Sequence, residues 1–356
     1  MDQGENGPSS PAVLQRKSKS YRQSYRSCLG GASRLAFTPG VTARRLNSSR
    51  TLPKARNIKE QLDPEHLALL SKTEWHLSYV TPLFQFTYTQ LKTYGRQLSA
   101  FIAAEKQKGL AVDVEASHGC KVNVSLVQGL VESKEEPETV LVQIVSKPMF
   151  SRPEDPERPV WSGWFSCVDG SPDYLASLPE GFVCLPLFCS SGPQALTSIV
   201  KTWFQRTFDC CFGALELDHT TLLWLMALWT NCQPEADLQN LKMLWTIPVE
   251  PPLQITYAVR SQDAWDLWSG IRKSQERGEE GEERMIDIQE VVEFMQELKT
   301  HFYRHFRLDL SAGNLSRVAT ALGSAKSNGR IKISNSRYFI TTLSLLTECA
   351  LLKMPI

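Results

Sequence analysis

The chain has 356 residues, 42% of them hydrophobic, with nine Trp, nine Tyr and fifteen Phe. That is enough apolar mass to bury a sizeable core as one large domain or two smaller ones, and too much for a mostly unfolded chain. The formal charge of +1 conceals a split: residues 1–60 hold twelve Lys and Arg against Asp2, Glu5 and Glu60, a net +9, which leaves −8 for the remaining residues.

Residues 1–60 are rich in Ser, Arg, Gly and Pro and show no apolar period, so a disordered basic tail is expected, suited to an acidic surface such as DNA or a nucleosome. Ser10-Pro11 and Thr38-Pro39 have the form of proline-directed kinase sites, although such dipeptides are common in tails. The start, MDQGENGPSS, lacks a charged-then-apolar signal pattern, and the longest apolar run, Leu222 to Trp229, is far short of the roughly 18 residues a membrane span requires. Nine cysteines, an odd number without metal-binding spacing, read as apolar thiols of a reducing compartment. Asn47, Asn123 and Asn314 lie in glycosylation sequons that are expected to be chance matches. An intracellular, soluble protein is expected.

Asp63 and Pro64 cap a helix running to about Lys72, and Trp75, Leu77 and Tyr79 alternate with polar residues as in a strand. Leu91, Tyr94, Leu98, Phe101 and Ile102 line one face of a longer helix. Lys106 and Lys108 complement its carbonyl end, Gly109 breaks it, and Leu110, Val112 and Val114 open a strand over 110–116. Further strands are expected at 120–128, 139–147, 160–168 and 182–188, in an antiparallel meander. A helix follows over Pro193–Phe208, then Thr220–Cys232, apolar almost all round and therefore central. Strands at Lys242–Ile247 and Leu253–Val259, a helix at Ser261–Lys273, the solvated stretch ERGEEGEER (276–284) and a helix over Met285–Phe306 come next. Leu315–Leu322 and Arg330–Ser334 read as a hairpin about Ser327-Asn328-Gly329, and a last helix covers Arg337–Leu352.

The expected class is α+β: a mostly antiparallel mixed sheet packed by long helices behind a disordered N-terminal tail. The segments are a tail (1–60), an N-terminal and central α+β domain (61–275), the acidic loop (276–284) and a C-terminal helix–hairpin–helix part (285–356) read as the dimerisation region.

Catalytic signatures are missing: the chain has no phosphate loop, nucleophile elbow, HExxH or kinase motif set. His301 and His305 share a helical face without a third zinc ligand nearby, and Cys210-Cys211 reads as burial rather than a redox pair. Six of the nine tryptophans fall between Trp203 and Trp268 with too few interleaved cations for base stacking, so they are read as core and interface anchors. One basic constellation stands out: Arg317, Lys326, Arg330, Lys332 and Arg337. On Arg330–Ser334 the cations share one face while Ile331 and Ile333 share the other. If that strand's edge stays free it is a template for a partner's strand, which makes Leu315, Val318, Ile331 and Ile333 the expected partner interface.

Blocks through the chain resemble the centromere protein L family: AFIAAEKQKGLAVDV (100–114), LVQIVSK (141–147), GWFSCV (163–168), CLPLF (184–188), TWFQRTFDCCF (202–212), WTNC (229–232), LWTIP (244–248), FYRHF (302–306) and GRIKI (329–333). They are collinear over roughly 62–352. The resemblance implies a non-enzymatic structural subunit of the inner kinetochore, in the nucleus at the centromere, that supports chromosome segregation. It implies a heterodimer with centromere protein N within the constitutive centromere-associated network, beside centromere protein C, the H-I-K-M group and the centromeric nucleosome. No cofactor, metal, membrane or small-molecule substrate is implied. The family pair is expected to frame a basic groove for DNA, giving Arg317, Arg330 and Lys332, with Lys326 and Arg337, phosphate contacts that carry no sequence preference. The alternative is a nonspecific DNA-binding module acting through its basic N-terminal tail.

Overall fold

A computed structural model of the chain describes residues 51–52, 63–107, 120–130, 136–146, 158–232, 240–274 and 285–354. Of the 1–60 segment only β1 (Thr51–Leu52) is described; the strand expected at 110–116 and the acidic stretch 276–284 lie outside the described residues, apart from which the chain order of elements is as follows.

The Asp63 carboxylate accepts the Glu65 amide at 2.9 Å and so starts α1 (Pro64–Lys72), as its sequence requires. β2 (Trp75–Val80) and the short β3 (Leu83–Phe84) lead to α2 (Leu91–Gln107), whose Tyr94, Leu98 and Ile102 are buried. Gly95 sits where this helix meets the sheet: an added Cβ would stand 2.9 Å from the Val122 carbonyl oxygen. Next come β4 (Lys121–Val127), β5 (Thr139–Ser146), β6 (Arg158–Ser166) and the short α3 (Pro172–Ala176). The strand expected at 182–188 is two pieces, β7 (Phe182–Val183) and β8 (Leu187–Ser191). β7 pairs with β3 in a small separate sheet, while β8 joins the main one. α4 (Gln194–Phe208), β9 (Phe212–Ala214), α5 (His219–Thr230), β10 (Leu241–Ile247), β11 (Leu253–Val259) and α6 (Ser261–Ser274) follow.

The helix expected from Met285 begins at Ile288 instead. Ile286–Asp287 forms β12, paired with β1, and Asp287 with Glu290 makes a capping box for α7 (Ile288–Phe306). The expected two-stranded hairpin is a three-stranded meander: β13 (Asn314–Ala319), β14 (Gly323–Lys326) and β15 (Arg330–Ile333). A second turn at 320–322 splits what reads as one strand, because the Thr320 amide bonds back to the Gly323 carbonyl. The Asn328-Gly329 turn forms as expected, between β14 and β15, with Gly329 at φ +76°. α8 (Phe339–Lys353) closes the described chain.

The main sheet has eleven strands in the order β11-β10-β13-β14-β15-β2-β8-β6-β5-β4, with β9 beside β2, and every pairing is antiparallel. The fold is thus α+β. The segments 61–275 and 285–356 share this sheet, since β13, β14 and β15 lie between β10 and β2. Two apolar clusters sit on it. Around β5, β6 and β8, Val142, Phe165 and Phe188 pack with α2 and α4, while Leu141, Trp164 and Cys189 belong to the other cluster. Successive residues point to opposite faces, so this half is covered on both sides. Around β10, β13, β14 and β15 only one face carries buried side chains, held beneath α5, α6 and α7, with α1 against β15.

Candidate interaction surface

The uncovered face follows from register. Lys242 stands opposite Ala319, Ala319 opposite Ser324 and Ser324 opposite Lys332, one rung across four strands. The neighbouring rung reads Leu244, Arg317, Lys326, Arg330, and Arg330 then faces His76 on β2. Alternation places the residues between these rungs, Met243, Val318, Ala325 and Ile331, in the core. The outer face is therefore basic because each of its strands is amphipathic.

Two small residues between Lys242 and Lys332 leave a depression. A cavity of about 550 Å³ opens there, lined by Lys242, Arg317 and Lys332 with Asn240, Ser324 and Ser334, and among the described residues no acidic side chain lines it. Lys326 points elsewhere: its ammonium lies 2.7 Å from Glu74. That hydrogen bond holds the Glu74 carboxyl below its ordinary range, helped by the charges of Lys326, Arg330 and Arg317. Arg337 stands apart at the start of α8, donating to Cys232 Sγ at 3.3 Å and lying over the Tyr338 ring. Of the five cations singled out from sequence, Arg317 and Lys332 line the cavity, Lys326 and Arg330 share the adjoining rung, and Arg337 joins neither. Lys242 was missed, although the alternation of LKMLWTI points it outward with Leu244 and Thr246.

Leu315, Val318, Ile331 and Ile333 are all buried, each at most 3% exposed. Leu315 and Val318, three apart, both face inward because the ladder between β10 and β13 shifts register between Leu244 and Trp245. The strand edge expected to be free is not: β15 is hydrogen-bonded to β14 on one side and to β2 on the other. Among the described residues the sheet has two margins, β4 and β11, neither with a partner on its outer side, and the exposed large apolar residues gather by β11. Leu253 on this strand and Val249 just before it are about half exposed, at 49% and 51%. The last turns of α7 lie alongside, with Tyr257 Oη 2.7 Å from His301 Nδ1 and Phe302 against the Tyr257 ring. That helix end carries the exposed Tyr303 and Phe306, and Leu308 follows.

Other candidate chemistry resolves into packing. His301 is engaged by Tyr257, and no group of three or more His, Cys, Asp or Glu is placed to hold a metal among the described residues. Burial pushes the Cys210 thiol up to about 12, so it carries no thiolate at neutral pH. Trp203, Trp224, Trp229, Trp245 and Trp268 are core residues. No described helix is long and apolar enough to cross a membrane.

The comparisons with known proteins agree with the blocks read from sequence. The family model described as centromere protein L matches residues 69–351. Centromere protein L of Danio rerio is 53% identical over 351 residues, 98% of this chain and 93% of the relative. The proteins of the same name from Gallus gallus and Homo sapiens are 43% and 40% identical, covering 85% and 86% of this chain and the same shares of their own lengths. A match of this length takes in both the doubly covered half of the sheet and the open basic half, so the chain belongs to the centromere protein L family.

Proposed function

We propose that the protein is a non-enzymatic structural subunit of the inner kinetochore that pairs with centromere protein N by adding a strand of that partner to the β11 margin. Membership of the family places it among centromere proteins. The observation that carries the pairing is the open edge at Leu253–Val259, flanked by exposed Val249, Leu253, Phe306 and Leu308. An unpaired edge offers a row of backbone donors and acceptors, and adjacent apolar side chains supply the desolvation that a transient contact lacks. Leu315, Val318, Ile331 and Ile333 act in the core, by holding β13 against α5 and β15 against α1. In the assembly the subunit works beside centromere protein C, the H-I-K-M group and the centromeric nucleosome, in the nucleus.

A second reading is nonspecific DNA contact. The open face with Arg317, Arg330 and Lys332 favours it, as does the +9 tail. Size-exclusion chromatography with centromere protein N, on the full chain and on a chain lacking residues 1–60, separates the two. Co-elution of both forms supports the scaffold; loss of all DNA binding with the tail, and no co-elution of either form, supports the DNA module.

A further inference from the structure

The cavity on the open face has more structure than a general affinity for polyanions requires. We propose that it is a binding site for one phosphate monoester, the side chain of a phosphorylated serine or threonine in a partner polypeptide. Lys242 and Lys332 are three strands apart, about 14 Å at ~4.8 Å per strand, and the two residues between them in the rung are Ala319 and Ser324. Long cationic side chains thus surround a floor of small ones, with Gly323 beside Ser324 and Arg317 on the flank. The arrangement is convergent.

The donors also lie outside ion-pair distance of any described carboxylate, Arg317 acting on Glu74 only through its charge. Among the described residues Lys242, Arg317 and Lys332 form no ion pair, and the hydroxyls of Ser324 and Ser334 form no hydrogen bond. A guanidinium offers two parallel N–H groups to two phosphate oxygens, and each lysine adds a point charge. Three cations with no carboxylate among the described lining residues suit a monoester, which carries about −1.5 to −2 at neutral pH and presents three acceptor oxygens. A DNA strand presents instead a line of monoanions. A basic track that followed such a line toward β2 meets Glu74, which neutralises Lys326 at the next rung.

The position also favours a polypeptide. Lys242 sits on β10 directly opposite Ala258 of the marginal strand β11, so the cavity opens one strand in from the open edge. A segment crossing that edge is placed to drop a single side chain into it. The proposal does not depend on which protein occupies the margin.

The test is fluorescence anisotropy of the full chain with two degenerate peptide pools, identical except for a central phosphoserine or serine. Inorganic phosphate and a short DNA duplex serve as competitors. The phosphorylated pool is expected to bind at least tenfold tighter. Lys242→Gln and Lys332→Gln should each remove most of that difference, Ser324→Asp should abolish it, and Arg337→Gln should leave it unchanged, all with unaltered melting midpoints. Equal binding of the two pools overturns the proposal, as does a preference indifferent to the three cavity variants. Inorganic phosphate binding as tightly as the pool would mean a free-anion site and would also overturn it. So would duplex DNA that displaces the pool and loses affinity for the same variants in the same proportion.

Discussion

β5 and β15 belong to one sheet but are written in different hydropathy patterns. β5 reads TVLVQIVS and buries every residue but the half-buried Gln143, whereas β15 reads RIKI and buries only its two isoleucines. The first pattern is that of a strand covered on both faces, the second of a strand covered on one. The doubly covered half holds Trp161, Trp164, Phe165 and Phe188 and offers no face for a ligand. The half-covered region keeps its apolar residues under α5, α6 and α7 and turns a row of cations outward. Stability and recognition are thus assigned to different lengths of the same sheet.

That division is easiest to break from below. Ile333→Asp puts a carboxylate where the isoleucine is 3% exposed, and should cost more than about 4 kcal/mol, enough to unfold the open half. Circular dichroism melting reads it, and because the fold itself goes, this substitution reports packing rather than any docking surface. In the doubly covered half, Trp164→Ala should cost about 3–5 kcal/mol by denaturant titration, while Lys242→Ala on the open face should stay within about 0.5 kcal/mol. Equal costs at Trp164 and Lys242 would erase the contrast between the two regions.

Surface substitutions at the margin should separate binding from folding. Leu253→Glu with Phe306→Glu alters two residues that are 49% and 59% exposed. The pair should weaken association with centromere protein N at least tenfold, by analytical ultracentrifugation, and leave the melting midpoint in place.

Acid should act at the junction of the two regions. Burial, with the charges of Lys201 and Arg330, holds the His76 imidazole below its ordinary value of 6.5. The unfolded chain therefore binds this proton first, so stability is full above about pH 6.5 and falls as pH drops toward the lowered folded value. Melts at pH 7.5 and 5.5 should show the loss, and His76→Gln should reduce it. The smallest effect belongs to Lys326→Gln. Its partner Glu74 is 42% exposed, so breaking the pair should cost under about 1 kcal/mol, and that contribution disappears only as pH falls below about 4.5 through the depressed carboxyl value.

The elements themselves were legible in the sequence wherever a local period governs them. The capped start at Asp63, the apolar α5, the Asn328-Gly329 turn and the alternation on β15 are all consequences of neighbouring residues. The pairing of β15 with β2 was not, because it joins Ile331 to Trp75 across most of the chain and no local pattern records it. The free edge was therefore assigned to the wrong strand. The inward pointing of both Leu315 and Val318 was hidden for a related reason: the register shift exists only in the ladder with β10. Lys242 was readable, since alternation along LKMLWTI turns it outward.

Hydrogen–deuterium exchange over Leu253–Val259, with and without centromere protein N, tests the central claim most directly. The account predicts that the alternate amides on the outer side of β11 exchange quickly in the free protein and become strongly protected in the complex. Unchanged exchange along β11 in a complex that has formed would contradict it.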